Sequence, residues 1–250
     1  MTIKVLDSKT INRIAAGEVI ECPASVIKEL VENSIDSGAT EISIEVSNGG
    51  RNFISVRDNG CGIPKSELLL ALTRYATSKI TDSELIEIKN LGFRGEALPS
   101  IGAVSRLKLS SRPANQSVGW YVKCEGGEIV ESETPVAITH GTIVEVSDLF
   151  FATPNRLKFL KTERSENQRI IEIINKLAIS SPLIKFQLIL DEKIKFKYLK
   201  KDSHLKRISE PCILGQEFYE NSMPIRSALG DLELTGHVGA PVISRAKSTF

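Results

Sequence analysis

Residues 28–36 read KELVENSID and begin within a run, residues 24–35, that contains neither glycine nor proline. Its apolar side chains recur at helical spacing and predict an amphipathic helix: Ile27, Leu30, Val31 and Ile35. Glu29 and Asn33 are four residues apart, so they lie on one face of that helix. An ionised glutamate accepts a proton from an attacking water, and an asparagine carbonyl is a hard oxygen ligand suited to Mg²⁺. The pair suits nucleotide hydrolysis; a solvated polar face is the alternative.

Composition places few limits on the class of protein. At 250 residues the chain can form one large domain, or one domain and part of a second. Its 41% apolar and 25% charged residues are ordinary for a globular protein. No apolar run approaches the roughly 18 residues that span a bilayer, and the first ten residues lack the pattern of a secretory signal. The four cysteines are scattered without a CxxC pair, so neither zinc nor disulfides are indicated. We expect a cytoplasmic protein without membrane contact.

Charge is distributed unevenly along the chain. Residues 151–210 contain 14 Lys and Arg against 7 Asp and Glu, although the whole chain has a net charge of +1. Such segregation indicates a polyanion-binding face. A lysine-rich solvated surface on a helix and strands explains the same pattern, and both interpretations stay open.

Alternation of helical and strand patterns predicts a protein with both kinds of element. Helices are predicted at residues 10–20, 24–35, 64–75, 99–104 and 164–180. Strands are predicted around residues 42–46, 54–58, 107–109, 120–122, 129, 141–146, 186–190 and 194–198. A polar, basic stretch at residues 200–207 marks a predicted domain boundary.

Asp58 continues the parity of Ile54 and Val56, so its carboxylate faces the apolar side of its strand. An unpaired charge there is expensive, so hydrogen-bond donors must surround it. The glycine turn NGCGI, residues 59–63, follows and lets backbone approach a ligand closely. An acceptor in this place suits the exocyclic amine of adenine. An ordinary loop of the DxGxG type is the alternative.

Two further segments have the character of a ligand site. The polar residues 76–90 lack strong periodicity, as in lids that close over ligands. Residues 91–98, LGFRGEAL, combine two glycines and an arginine before a helix, an arrangement that presents N–H groups to phosphates. It is not the Walker pattern, and a structural turn is the alternative.

Thr142 follows Gly141 at the start of a strand, and the neighbouring His140 has no metal-ligand spacing.

The order of these motifs is more specific than any one of them. The succession ExxxN, DNGCGI, LGFRGEAL and GT before a strand resembles the four motifs of the GHKL ATPase superfamily. Within that superfamily, five segments resemble the MutL family of DNA mismatch repair proteins: INRIAAGEVIECPASVIKELVENSIDSGAT, RDNGCGI, RYATSKI, LGFRGEALPSIGAVS and DLFFATPNRLKFL. The resemblance covers most of residues 1–200. Cys22, Ser37 and Leu157 depart from common family residues, away from the expected chemistry.

The resemblance implies ATP and Mg²⁺ as cofactors and assigns a role to each matching residue. Glu29 would be the general base and Asn33 the Mg²⁺ ligand. Asp58 would accept from the adenine amine, supported by Thr142 directly or through water, with the base lined by Gly60, Gly62 and Ile63. The lid would contribute Thr77, Ser78 and Lys79. The phosphates would be held by Gly92, Phe93, Arg94, Gly95, Glu96, Ala97 and Leu98.

The resemblance also implies the architecture. The fold class would be α+β, the Bergerat fold of this superfamily, with a mixed, mainly antiparallel sheet and helices on one face over residues 1–200. Residues 201–250 would begin a second α/β domain of the ribosomal S5-like transducer type, left incomplete. Lys247 is too early to be the lysine that such a domain supplies to the γ-phosphate. We therefore expect weak ATP·Mg²⁺ binding and slow or absent hydrolysis by this chain alone.

The expected partners follow from the family. They are a MutS-type mismatch sensor, a second copy of the full-length protein joined by ATP-dependent dimerisation, and DNA bound without sequence preference. The basic face proposed for DNA comprises Arg156, Lys158, Lys161, Arg164 and Arg169. A non-catalytic scaffold gated by nucleotide is one alternative function. A topoisomerase or histidine kinase is another, but no histidine is placed as a phospho-acceptor and no strand-passage domain is recognisable.

Overall fold

A computed structural model describes residue 5 and residues 7–76, 95–230 and 232–241. The helices in these ranges are α1 Ser8–Val19, α2 Pro23–Asp36, α3 Lys65–Leu68, α4 Ala97–Val104, α5 Pro154–Leu157, α6 Glu163–Ser180, α7 His204–Ile208 and α8 Gly215–Glu220. The strands are β1 Glu41–Ser47, β2 Phe53–Asp58, β3 Arg106–Arg112, β4 Gly119–Glu125, β5 Glu128–Val136, β6 Gly141–Ser147, β7 Lys185–Leu190, β8 Lys193–Tyr198, β9 Ser222–Leu229 and β10 Leu232–Gly239.

One large sheet organises the first eight strands in the order β5-β4-β3-β6-β2-β1-β7-β8. Every neighbouring pair in it is antiparallel except β1 and β7. Alternate side chains of β1, β2 and β6 are buried on one face of the sheet, and α2 and α4 pack against that face. Helix α6 packs on α2, and helix α1 packs on α4. The predicted α+β fold, with a mixed, mainly antiparallel sheet covered by helices, is confirmed.

The sequence predicted helix α2 to within one residue at each end. Pro23 occupies its first turn, where the missing N–H costs little. Of the predicted apolar stripe, Ile27, Leu30 and Val31 are buried and Ile35 is partly buried, and Val26 is buried beside them. Full burial of a large apolar side chain stabilises the fold by roughly 1.5–3 kcal/mol. Glu29 and Asn33 lie outside this stripe, whereas Ser34 is buried with it.

The helix predicted at residues 64–75 is wrong in extent. Only α3 is helical, and a 3₁₀ turn, Leu70–Leu72, follows it. Leu68 is buried, and Leu69 and Leu70 are 37% and 54% exposed. The cause is a contact distant in sequence, because Tyr75 has a φ of +63° and its N–H donates to the Gly95 carbonyl at 3.1 Å. The chain must leave the helix to reach that partner.

Residues 204–213 pack against the large sheet and α6. Arg207 is fully buried and donates to the carbonyls of Pro182 and Ile184 at 2.8 and 2.6 Å, and Ile213 belongs to the core. Strands β9 and β10 form a separate two-stranded sheet. The boundary between residues 200 and 201 stays a prediction. In the described ranges, no helix is both long and apolar enough to cross a membrane.

Candidate functional site

Three polar side chains form a row across the buried face, where β2, β6 and β3 lie side by side. Asp58 pairs with Thr142, and Thr142 pairs with Ser111. Residues directly opposite each other in antiparallel strands point to the same face. The three are 8%, 9% and 1% exposed, so this row lies within the interior.

Asp58 receives hydrogen bonds from three directions. Its Oδ2 accepts from the Ser34 hydroxyl of α2 at 3.0 Å, and its Oδ1 accepts from the N–H groups of Gly60 at 2.9 Å and Thr142 at 3.3 Å. The prediction that donors must surround this carboxylate is confirmed. Burial raises the pKa of Asp58, and the hydrogen bonds from Gly60, Ser34 and Thr142 oppose that rise only in part. A carboxylate acceptor is therefore maintained here against the cost of its burial.

Two glycines allow the backbone to close around Asp58. Gly141 has a φ of +111°, and a Cβ atom there would lie 2.1 Å from the Asp58 carbonyl oxygen. Gly62 has a φ of +74°, and its Cβ would lie 2.6 Å from the carbonyl oxygen of Arg112. Side chains are excluded at both positions by conformation and by space. The predicted glycine turn is thus held tightly against β3 and the start of β6.

Glu29 and Asn33 lie in α2, on the helix that also supplies Ser34 to Asp58. Lys28 is held between two carboxylates, with its Nζ 3.1 Å from Glu29 and 3.0 Å from Glu32. Partial burial disfavours the charge of Lys28, but the hydrogen bonds and attraction of the two glutamates outweigh it and raise the pKa of Lys28. The side chain of Glu29 is 19% exposed and remains accessible.

The start of α4 offers backbone N–H groups. Glu96 is the N-cap residue but makes no side-chain capping bond, and Pro99 has no N–H to offer. The N–H groups of Ala97 and Leu98 are at the first helical positions, which have no partner within a helix and attract anions. The side chain of Glu96 lies 3.8 Å from Arg74, and Arg74 donates to the Asn12 carbonyl at 3.1 Å.

The predicted motifs converge on α2. Ser34 connects α2 to Asp58, and α4 packs against α2, so the regions predicted for base, metal and phosphates lie around one helix. Part of the prediction falls outside the described residues, namely Thr77, Ser78, Lys79, Gly92, Phe93 and Arg94. Gly95, Glu96, Ala97 and Leu98 are described and lie at the start of α4.

Ser34 and Ser111 are site residues that were not predicted from the sequence. Ser111 continues the parity of the buried Leu107 and Leu109 along β3, so a polar residue on the apolar side was the available signal. Ser34 lies four residues after Leu30 on the buried face of α2, and its hydroxyl also lies 3.1 Å from the Leu30 carbonyl. Serine is too common on helices and strands for either position to stand out without the tertiary structure.

The sequence is similar to that of a known family of ATPases. A family model described as "Histidine kinase-, DNA gyrase B-, and HSP90-like ATPase" matches residues 20–136. The MutL mismatch repair protein of Ehrlichia chaffeensis is 52% identical over 250 residues, and that of a Wolbachia species from Brugia malayi is 54% identical over 248 residues. The chain spans 37% and 39% of the length of these two relatives.

Solved structures show the same likeness. The ADP complex of the Aquifex aeolicus MutL ATPase domain superposes with a TM-score of 0.67 at 32% identity. The match covers 84% of this chain and 73% of that one. The N-terminal domain of a DNA repair protein superposes with a TM-score of 0.74 at 26% identity over 91% of this chain.

Proposed function

This chain belongs to the MutL family of DNA mismatch repair proteins and carries an ATPase domain of the GHKL type. We propose that it binds ATP with Mg²⁺ beside α2 and hydrolyses the ATP. The observation that carries the proposal is the buried Asp58 carboxylate with its three donors. A carboxylate offers about four acceptor positions, so one remains for a ligand. A hydrogen-bond donor on the ligand, the adenine amine, explains why this costly charge is kept inside the protein.

The reaction would take place on the accessible face of α2. Glu29 accepts a proton from the water that attacks the γ-phosphate, while the N–H groups that begin α4 hold phosphate oxygens. Asn33 fits Mg²⁺, because this ion binds through one or two protein oxygens plus substrate phosphates and waters. When bound, Mg²⁺ supplies positive charge that offsets the charge of the phosphates. In the described residues, no group of three or more His, Cys, Asp or Glu side chains is placed to hold a metal ion.

Equilibrium binding of a non-hydrolysable ATP analogue, with and without Mg²⁺, tests this proposal. We expect binding that strengthens with Mg²⁺, and Asn33→Ala should lose that strengthening because its carbonyl ligand is gone. Gln168→Ala, on α6 and exposed, is a matched amide control and should leave the Mg²⁺ effect intact. Binding that ignores Mg²⁺ in the unaltered protein would contradict the assignment of Asn33. We also expect ATP hydrolysis by this chain to be slow.

In the full-length protein, we propose that ATP acts as a switch, in which nucleotide orders the lid and joins two N-terminal regions. A MutS-type sensor would be the partner that couples this switch to a mismatch. The competing scaffold function needs nucleotide binding but no turnover. Mismatch repair in cells that carry a hydrolysis-deficient variant separates the two, because only the switch requires turnover.

We also propose that DNA binds to the exposed basic residues at the start of α6 and before it. Lys158, Lys161 and Arg164 are exposed and available to phosphates. Arg156, which the sequence analysis included in this face, has a different role, because its guanidinium donates to the Ile20 carbonyl and stacks on Phe150 at 4.3 Å. The proposed DNA face therefore consists of Lys158, Lys161 and Arg164, together with Arg169, which lies 3.7 Å from Glu166.

DNA affinity should fall steeply with added salt, because each neutralised phosphate releases counterions. Replacing Lys158, Lys161 and Arg164 together by alanine should reduce the slope of log affinity against log salt by about 2–3. Fluorescence anisotropy of a labelled duplex measures this slope. The matched control replaces three exposed lysines of β8, Lys193, Lys195 and Lys197. An equal reduction in both variants would show that the binding is not localised to this face.

A further inference from the structure

We infer that Ser111 is a positioning residue, which turns the Thr142 hydroxyl so that only the lone pairs of Thr142 face the bound base. This orientation makes the site select an aminopurine nucleotide over an oxopurine nucleotide. The inference rests on the proposed nucleotide site. It assigns a source of base selectivity to a residue that does not itself contact the base.

Three polar atoms surround the Ser111 hydroxyl oxygen. The N–H of Ile63 donates to it at 2.8 Å. The carbonyl oxygen of Gly141 lies at 2.9 Å, and the hydroxyl oxygen of Thr142 also lies at 2.9 Å. With Ser111 only 1% exposed, water does not compete for these positions.

A hydroxyl group has one hydrogen and two lone pairs, and this count determines the direction of each bond. Ile63 brings its own hydrogen and occupies one lone pair. The Gly141 carbonyl can only accept, so it takes the Ser111 hydrogen. The remaining contact is a hydrogen bond only if Thr142 donates to the second lone pair of Ser111. All three contacts are satisfied together in this arrangement alone.

The Thr142 hydrogen is then committed to Ser111, and the lone pairs of Thr142 are what remains for a ligand. Asp58, paired with Thr142 across the strands, is likewise an acceptor. Two neighbouring groups thus offer acceptors to the edge of a purine, directly or through one water. Adenine carries an amino group at C6, which donates, whereas guanine carries O6, which accepts. At the C6 substituent the row therefore favours the amino group of adenine over O6 of guanine.

Ser111→Ala tests the inference through selectivity. This variant releases the Thr142 hydrogen, which can then turn toward the ligand and donate to O6 of guanine. We expect the preference for a non-hydrolysable ATP analogue over the matching GTP analogue to fall by about tenfold, as for one net hydrogen bond. Ser111→Thr keeps a hydroxyl and should restore the preference. Ser110→Ala is the matched control, because Ser110 is a buried neighbour in β3 that faces the other side of the sheet.

A double-mutant cycle with Thr142→Val keeps the test decisive if one variant is unstable. Thr142→Val removes the hydroxyl that Ser111 orients, so adding Ser111→Ala should change the preference no further. Equal losses of ATP and GTP affinity in Ser111→Ala, with the preference unchanged, would show a purely structural role and overturn the inference alone. Failure of the unaltered protein to bind either nucleotide would overturn the proposed function as well.

Discussion

Glu29→Gln should lower the rate of ATP hydrolysis by about 100-fold to 10,000-fold, because an amide cannot accept the proton that a general base removes. Nucleotide affinity should stay near that of the unaltered protein, since the substitution preserves size and Lys28 keeps its contact with Glu32 at 3.0 Å. Phosphate release at saturating ATP measures the rate, and equilibrium binding of the analogue measures the affinity.

Glu32→Gln is the matched control for this prediction. Glu32 lies on the same helix, shares Lys28 with Glu29 and is 7% exposed, so its substitution also weakens the ion pairs of Lys28. We expect it to retain hydrolysis. Equal loss of turnover in both variants would indicate that the charge network of Lys28, and not a general base, limits the reaction. Normal mismatch repair by Glu29→Gln would favour the scaffold function.

Asp58→Asn should weaken nucleotide binding by about 100-fold or more, because it replaces a charged acceptor by an NH₂ donor that opposes the adenine amine. The unliganded fold should tolerate the change. The new amide can donate to the Ser34 hydroxyl, which then donates to the Leu30 carbonyl that lies 3.1 Å away. Binding of the ATP analogue and a thermal melt of the free protein measure the two effects. Unchanged affinity would remove Asp58 from the site.

The raised pKa of Asp58 gives this prediction a pH dependence. Burial makes the ionised form costly in the fold, so the contribution of Asp58 to stability is full below its unfolded pKa and is lost as pH rises through the folded pKa. At neutral pH the free Asp58→Asn protein should therefore melt no lower than the unaltered protein. Nucleotide affinity has the opposite sign and should fall as the solution is acidified through the raised pKa. Ser34→Ala keeps the carboxylate and should weaken binding less than Asp58→Asn does.

Short-range patterns in the sequence were sufficient to predict much of the fold and to recognise the family. Apolar spacing and Pro23 predicted α2, and the parity of Ile54 and Val56 placed Asp58 on the buried side. The resemblance to the MutL family, seen in five motifs, is confirmed by the comparisons. The roles given to Glu29 and Asn33 stay predictions, although both residues lie on the helix that was expected.

Local pattern failed where a distant partner decides the conformation. The stretch after Leu68 has helical spacing, yet the bond between Tyr75 and Gly95 draws the chain away from a helix. Arg156 is basic and follows an exposed segment, yet the Ile20 carbonyl and the Phe150 ring hold it as a structural group. Gly95 lies 20 residues from Tyr75, and Ile20 lies 136 residues from Arg156, so both are beyond the window of residues from which a helix or a basic face is inferred.

The sequence by itself determined α2, the buried orientation of Asp58 and the glycine turn after it, because helical period, strand alternation and glycine conformation depend on near neighbours in the chain. Tertiary structure alone decided that Asp58, Thr142 and Ser111 stand in one row and that Ser34 contacts Asp58. Asp58 and Thr142 are 84 residues apart, and only the pairing of β2, β6 and β3 brings their side chains together. Their hydrogen bonds depend on that register, since a shift of one residue would turn each side chain to the other face.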